Sequence, residues 1–98
     1  MTMLNGVEVS FSADHPTGAG HFPGNPIIPG AVLLDEVLRA MGVSEQAVLV
    51  RSMKFFRLLR PGEGVRVAWE AAGAAVRFEC RLAGGDALVA SGLVERAA

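Results

Sequence analysis

Cysteine is nearly absent from this sequence. Its one cysteine, Cys80, cannot form an intramolecular disulfide, and the chain has no Cys-x-x-Cys motif of the kind that binds metals. Cys80 lies in VRFECRL (76–82), where apolar and charged residues alternate. We therefore expect its thiol to pack on the buried face of a strand rather than to act as a nucleophile. No uninterrupted apolar stretch approaches the length of a membrane helix, so we expect no membrane segment.

A strong excess of either charge is also absent. The formal net charge is −1, which gives no electrostatic basis for binding nucleic acid. The first residues, MTMLNGVEVS, contain no basic residue and no long apolar run, so we predict no signal peptide and a soluble, cytoplasmic protein. The cations are nevertheless uneven, because one segment contains Arg51, Lys54, Arg57 and Arg60. They form either a solvated strand face or a small dock for an acidic partner.

Hydrophobic residues, in contrast, are abundant and make up 51% of the 98 residues. We predict one domain over 1–98, since this length leaves no room for a second core. The interior of so small a domain is not large enough to bury all of these side chains. We therefore expect a second subunit to cover some of those that remain on the surface. A homodimer is the predicted assembly.

Alternating apolar and polar residues predict an α+β domain, in which an antiparallel sheet packs around one central helix. Short turns join the last four predicted strands, and Gly84-Gly85 is expected to supply the positive φ of a tight hairpin. The predicted strands cover residues 7–12, 47–59, 65–71, 76–82 and 87–95.

The predicted helix opens at Pro29-Gly30, runs to about Met41 and ends at Gly42 in the left-handed conformation. It is apolar on most sides, so we expect it to be buried on most sides, with its polar residues grouped together. The preceding stretch, ADHPTGAGHFPGNPIIP (13–29), has four prolines and three glycines and cannot form a regular element. A loop of this length in a compact domain is usually functional.

Two stretches of the sequence resemble the β-hydroxyacyl-acyl-carrier-protein dehydratases, which have the hot-dog fold. GHFPGNPIIPGAVLLDEV (20–37) resembles the family signature: HFPG, a second Pro-Gly, and an acid fourteen residues after the histidine. MKFFRLLRPGEGV (53–65) resembles a basic-aromatic strand of the family that ends in a Pro-Gly turn. The resemblance implies a hot-dog enzyme that dehydrates 3-hydroxyacyl thioesters on acyl carrier protein to trans-2-enoyl thioesters, in fatty acid or polyketide-like biosynthesis.

The resemblance also implies roles for individual residues. His21 matches the catalytic histidine, and Asp35 matches the catalytic acid, which in the family comes from the other subunit of the dimer. Gly30 matches the glycine whose backbone N–H binds the thioester carbonyl, and Ile27 the position whose backbone carbonyl orients the histidine ring. His15 matches no such role. No metal or redox cofactor is implied, because elimination passes no electrons to an acceptor.

The chemistry of dehydration suits these residue types. A base with a pKa near 7 must remove the proton at C2, and histidine is the side chain with that property. An acid must protonate the departing hydroxyl, and an Asp on an apolar helix can keep its proton because desolvation disfavours the carboxylate. The enolate oxygen needs a donor, which a helix N-terminus at Gly30 provides. Phe55 and Phe56 are expected to be core in part, with one of them lining the acyl tunnel.

Arg39 departs from the family pattern, which usually has a Gln one turn after the acid. An Arg that faces Asp35 would favour the ionised carboxylate, which cannot donate a proton directly but can hold a water that does. The two residues could instead be an ordinary helix-surface pair, worth about 0.3 kcal/mol. Three functions therefore stay open: the dehydratase, a hydratase or thioesterase acting on coenzyme A thioesters, and an acyl-binding subunit without catalysis.

Overall fold

The computed structural model describes residues 5–11, 27–43 and 47–96. In this part of the chain the elements are β1 (Asn5–Ser10), α1 (Gly30–Ala40), β2 (Val48–Phe55), β3 (Gly64–Ala72), β4 (Ala75–Leu82) and β5 (Leu88–Arg96). The five strands form one antiparallel sheet in the order β1-β3-β4-β5-β2, which confirms the α+β prediction. No helix in the described residues is long and apolar enough to cross a membrane.

The two faces of the sheet differ sharply in polarity. Val67 lies opposite Cys80 across the β3–β4 pair, and both are fully buried together with Phe78. We call their side of the sheet the inner face. The intervening residues of β4, such as Arg77 and Glu79, point the other way and form the outer face, since successive side chains alternate along a strand. The inner face therefore provides the hydrophobic core.

Helix α1 packs on the inner face through one stripe. Leu33 and Val37 are 2% and 0% exposed and belong to the same core cluster as Phe78. Every residue of this helix is described, and these two are its buried ones. Val32, Leu34 and Leu38 are partly buried against the same cluster. The expectation that the helix is buried on most sides is therefore met in part, because its exposed residues are confined to one stripe. The exposed helix residues are Ala31, Asp35 and Arg39.

The helix ends as predicted, at Gly42. This glycine has φ of 76°, and its N–H donates to the carbonyl of Arg39 at 3.1 Å. The N–H of Val43 donates to the carbonyl of Leu38 at 3.0 Å, which completes a Schellman motif. The glycine just beyond the last apolar turn thus ends the helix because it takes the left-handed conformation that this motif needs.

Strand β2 is shorter than predicted. It ends at Phe55 rather than at residue 59, and residues 56–59 do not belong to the strand. Alternation could not reveal this, because FFRLL (55–59) is apolar at four of its five positions. Strand β1 is also displaced from its predicted range, since it covers Asn5–Ser10 instead of 7–12.

The β4–β5 connection also differs from the prediction. Neither Gly84 nor Gly85 takes a positive φ, whereas Gly73 does (66°), in the two-residue loop that joins β3 to β4. The β4–β5 connection needs no such turn because it is longer and is held by side chains. Arg66 donates to the carbonyl of Ala83 at 3.0 Å and to that of Gly85 at 2.9 Å.

Candidate active site

A cavity of about 390 Å³ opens beside the N-terminus of α1. Gly30, Ile27 and Arg57 line it together with six apolar side chains. Three of those six form its floor and are 2–4% exposed, namely Ile28, Leu33 and Leu59. The other three form its rim and are 53–57% exposed, namely Phe55, Phe56 and Leu58. A concave, mostly apolar site of this size is typical of small-ligand pockets.

Backbone hydrogen bonds join the two walls of the cavity. The N–H of Ile28, in the loop before α1, donates to the carbonyl of Leu59 at 2.7 Å. The N–H of Phe56 donates to the carbonyl of Val89 at 2.8 Å, which fixes the second wall to β5. Leu58 and Leu59 are thus cavity residues, which the strand predicted over 47–59 missed. The available signal was the run FFRLL itself, which is too apolar for one exposed edge strand.

Gly30 is the first residue of α1 and lies in close contact with an aromatic ring. A Cβ atom added to Gly30 would lie 2.7 Å from Cζ of Phe55, so only glycine allows the ring to approach this closely. The carbonyl of Pro29 accepts the N–H groups of Val32 (3.0 Å) and Leu33 (3.2 Å). The earlier amides of a helix have no partner within it, so the first turn presents N–H donors and the positive end of the helix dipole. An anionic oxygen in the cavity would be stabilised there.

Asp35 lies on the exposed side of the helix. Its side chain is 63% exposed, and its Oδ2 is 3.3 Å from Nη2 of Arg39. Arg39 also approaches Glu36, with Nη1 3.5 Å from Oε1. The expectation that its own helix buries this carboxyl is therefore wrong. In the single chain Asp35 is a helix-surface residue that does not line the cavity.

Three of the four predicted site residues, Ile27, Gly30 and Asp35, lie in the described part of the chain. The structure brings Ile27 and Gly30 together on the cavity wall and leaves Asp35 outside it. His21 and His15 lie outside the described residues. The roles assigned to all four site residues therefore stay predictions.

The four cations predicted to form a dock for an acidic partner, which for a dehydratase would be the acyl carrier protein, do not lie on one surface. Arg51 lies beside a bulge of β2 and is paired with Glu95 of β5, Nε to Oε2 at 2.6 Å. Lys54 lies opposite Ser91 on the outer face. Arg57 instead lines the cavity, and the backbone of Arg60 belongs to the turn that follows. The dock stays a prediction, with two of its cations directed away from the cavity.

Cys80 packs in the core, as its position in the sequence predicts. It is fully buried, and burial raises the pKa of its thiol from 9.0 to about 12. A thiol that stays protonated is a poor nucleophile. Within the described ranges, no three His, Cys, Asp or Glu side chains are grouped so that they could hold a metal ion.

Known structures share this fold. A dehydratase heterocomplex, ApeI:P from Xenorhabdus doucetiae, superposes with a TM-score of 0.80 at 18% identity, covering 95% of this chain and 86% of that one. The PaaI protein of the E. coli phenylacetic acid degradation operon superposes with a TM-score of 0.59 at 16% identity, covering 95% and 72%. At these identities the likeness shows the fold alone, and it confirms the predicted hot-dog architecture.

Sequence relatives point to a narrower group. The 3-hydroxyacyl-acyl-carrier-protein dehydratase FabZ of Chloroflexus aggregans is 37% identical over 67 residues, which are 57% of this chain and 46% of that protein. FabZ of Haemophilus influenzae is 44% identical over 34 residues, 35% of this chain and 23% of that protein. The chain thus spans less than half the length of these relatives. The family model described as ApeI-like, ApeI dehydratase, matches residues 5–93, and the chain belongs to this dehydratase family.

Proposed function

We propose that this chain is a 3-hydroxyacyl-thioester dehydratase, acting on acyl-carrier-protein or coenzyme A thioesters as a homodimer. The cavity is the observation that carries the proposal. It offers an apolar floor to an acyl chain and, at the same place, the N-terminus of α1 at Gly30. Membership of a dehydratase family supports the reaction type, a carbon–oxygen lyase.

In the proposed reaction, the imidazole of His21 removes the proton from C2 of the bound thioester. The electron pair moves onto the thioester carbonyl, whose oxygen is stabilised by the N–H of Gly30. As the C2–C3 double bond forms, the C3–O bond breaks, and the hydroxyl leaves as water. Asp35 of the partner subunit, or a water that it holds, supplies the proton for that step. The products are a trans-2-enoyl thioester and one water molecule.

The exposed surfaces of the single chain support a dimer with shared sites. β2 is an edge strand, and at six of its eight positions the residue is exposed. Exposed strand edges and apolar rims are normally covered, and Leu49, Phe55 and Leu58 are each about half exposed. Asp35 is exposed as well, so it is accessible to a cavity on a second chain.

The test is enoyl formation from 3-hydroxyacyl-acyl carrier protein, followed chromatographically. We expect His21→Ala to lower kcat by at least about 100-fold, the usual contribution of a general base. His15→Ala is the matched control, because it removes the other histidine of the same Pro/Gly-rich stretch of sequence, and we expect it to keep wild-type activity. Unchanged turnover in His21→Ala would end the assignment.

A mixing experiment tests the shared site. His21→Ala and Asp35→Asn subunits are each inactive as homodimers in this scheme. If each site combines one residue from each chain, a mixed dimer has one intact site, and random mixing restores about a quarter of the wild-type activity. If both residues come from one chain, unfolding and refolding the mixture restores nothing.

A catalytically silent acyl-binding subunit is the second candidate. Arg39 favours it, because its ion pair occupies the carboxylate that should donate the proton. The Xenorhabdus neighbour is a heterocomplex, so a different partner chain is a specific alternative to the homodimer. Tight binding of acyl carrier with no enoyl product at any pH would favour this candidate. Release of free thiol would instead indicate a thioesterase.

A further inference from the structure

One charged side chain lines the otherwise apolar cavity. Among the described residues that line it, Arg57 is the charged one, and the others are apolar side chains or glycine. Its side chain is 36% exposed, which places it with the exposed rim rather than with the buried floor. The cavity therefore suits a ligand with an apolar body and one anionic group at its solvent end.

Glu63 holds this arginine at the rim. Nη1 of Arg57 lies 3.3 Å from Oε2 of Glu63. The other carboxylate oxygen accepts the backbone N–H of Arg60 at 2.8 Å, so the turn itself fixes the glutamate. A guanidinium has five N–H donors in a rigid fork, and the contact with Glu63 uses one of its terminal nitrogens. The pair is partly exposed and therefore weak, so a second anion can compete for the arginine.

The position of the charge indicates which end of a thioester it would meet. An anionic group at the far end of an acyl chain would lie at the floor, among Ile28, Leu33 and Leu59, where the described lining is apolar. The phosphate of a pantetheine arm lies on the solvent side of the thioester, and Arg57 lies at the partly exposed rim of the cavity. Arginine is well suited to phosphate because it can donate two parallel hydrogen bonds.

We propose that Arg57 binds the phosphate of the phosphopantetheine arm of the substrate, and that this phosphate replaces Glu63 as its partner. The inference rests on the proposed thioester substrate and adds to it the group that anchors the arm. It separates Arg57 from the other cations of the predicted dock, which would meet the carrier protein itself. Phosphate recognition is then built into the cavity and does not require the carrier.

The test measures binding rather than turnover. The probes are unreactive thioether analogues of 3-hydroxyoctanoyl-pantetheine, with and without the 4′-phosphate, titrated calorimetrically into the full chain at low salt. We expect the phosphate to improve Kd about tenfold, the size of one charge-assisted contact. In Arg57→Gln the two probes should bind with the same Kd. Arg57→Lys should keep part of the tenfold difference between them, and Glu63→Gln should keep or increase it.

Arg77→Gln is the matched control. It also removes an arginine paired with a glutamate, since Nη1 of Arg77 lies 3.5 Å from Oε1 of Glu70, but on the outer face. If Arg77→Gln lost the preference for the phosphate equally, the proposal would be overturned. The effect would then come from the overall charge of the protein and not from one arginine in the cavity. An unchanged ratio in folded Arg57→Gln, or preference for a probe with a terminal acyl carboxylate instead of the phosphate, would overturn it too. Because no turnover is needed, an inactive wild-type chain would refute only the dehydratase assignment.

Discussion

Gly92 is closely surrounded by Phe78 and the backbone of Ser52, which makes Gly92→Ala a demanding test of the fold. The residue lies in β5, opposite Phe78 of β4 and Met53 of β2. An added Cβ would lie 2.5 Å from Cζ of Phe78 and 2.6 Å from the backbone oxygen of Ser52. Phe78 is fully buried and the oxygen belongs to the strand, so neither can move cheaply. The methyl group must therefore separate β2 from β5 or displace the ring from the core.

The expected cost follows from these two clashes. Overpacking a core costs about 1–3 kcal/mol, and a simultaneous ring and backbone clash belongs at the upper end, about 3 kcal/mol. For a domain of this size, each kcal/mol shifts Tm by about 4–8 °C, so we expect Tm to fall by roughly 12–24 °C. β2 also leads into the cavity rim at Phe55, so loosening it should weaken ligand binding before the chain unfolds.

The assay is thermal unfolding by circular dichroism at one protein concentration, because the Tm of the proposed dimer would depend on concentration. Gly6→Ala is the matched control in β1, since its added Cβ meets nothing closer than the Val67 oxygen at 3.8 Å. We expect Gly6→Ala to change the free energy of unfolding by no more than about 0.5 kcal/mol. If Gly92→Ala unfolds at the same temperature as Gly6→Ala, the packing argument is refuted. Adding Phe78→Leu to Gly92→Ala should recover part of the loss only, because the contact with Ser52 remains.

Three further predictions concern the site and the core. Gly30→Ala should change the free energy of unfolding by no more than about 1 kcal/mol, because Phe55 is 53% exposed and its ring can turn away, yet it should lower enoyl formation by filling the cavity wall. Unaltered kcat/KM would contradict this. Arg39→Gln breaks an exposed ion pair with Asp35, so the free energy of unfolding should change by at most about 0.5 kcal/mol. We expect kcat to rise. A fall in kcat would contradict this and show that the arginine assists the reaction. Cys80 should resist thiol reagents until the protein unfolds. Because its folded pKa is raised from 9.0 to about 12, its contribution to stability is complete below pH 9 and is lost as pH rises through that interval, which denaturant titrations can measure.

The elements that local chemistry specifies were predictable from the sequence. The helix start at Gly30 and its stop at Gly42 follow from Pro-Gly and glycine signals, and both are observed. The three strands after residue 63 follow from clean alternation and match within one or two residues. The prediction of a positive φ at Gly84-Gly85 was wrong, because a glycine pair permits that conformation without requiring it. Arg66 holds this longer connection in another conformation.

The candidate site was harder to predict because its parts depend on distant partners. FFRLL has no alternation to show where β2 ends, and the hydrogen bond from Ile28 to Leu59 joins segments far apart in sequence. The helix is apolar on more sides than one sheet covers, and the pattern of a single chain does not identify a partner for the remaining sides. Arg57 was recognised as a cation, but its place in the cavity depends on where the strand stops.

The order of the strands has a consequence for how the cavity is assembled during folding. β3, β4 and β5 are neighbours both in sequence and in the sheet, whereas β1 and β2, the first two strands of the described residues, join at its opposite edges. Contacts between nearby residues form with less loss of chain entropy, so the β3-β4-β5 meander should fold first and open last. The wall that continues from β2 should therefore dock after the meander, and we expect the binding site to be less protected than the centre of the sheet. Hydrogen exchange should show β2 opening while β4 stays closed.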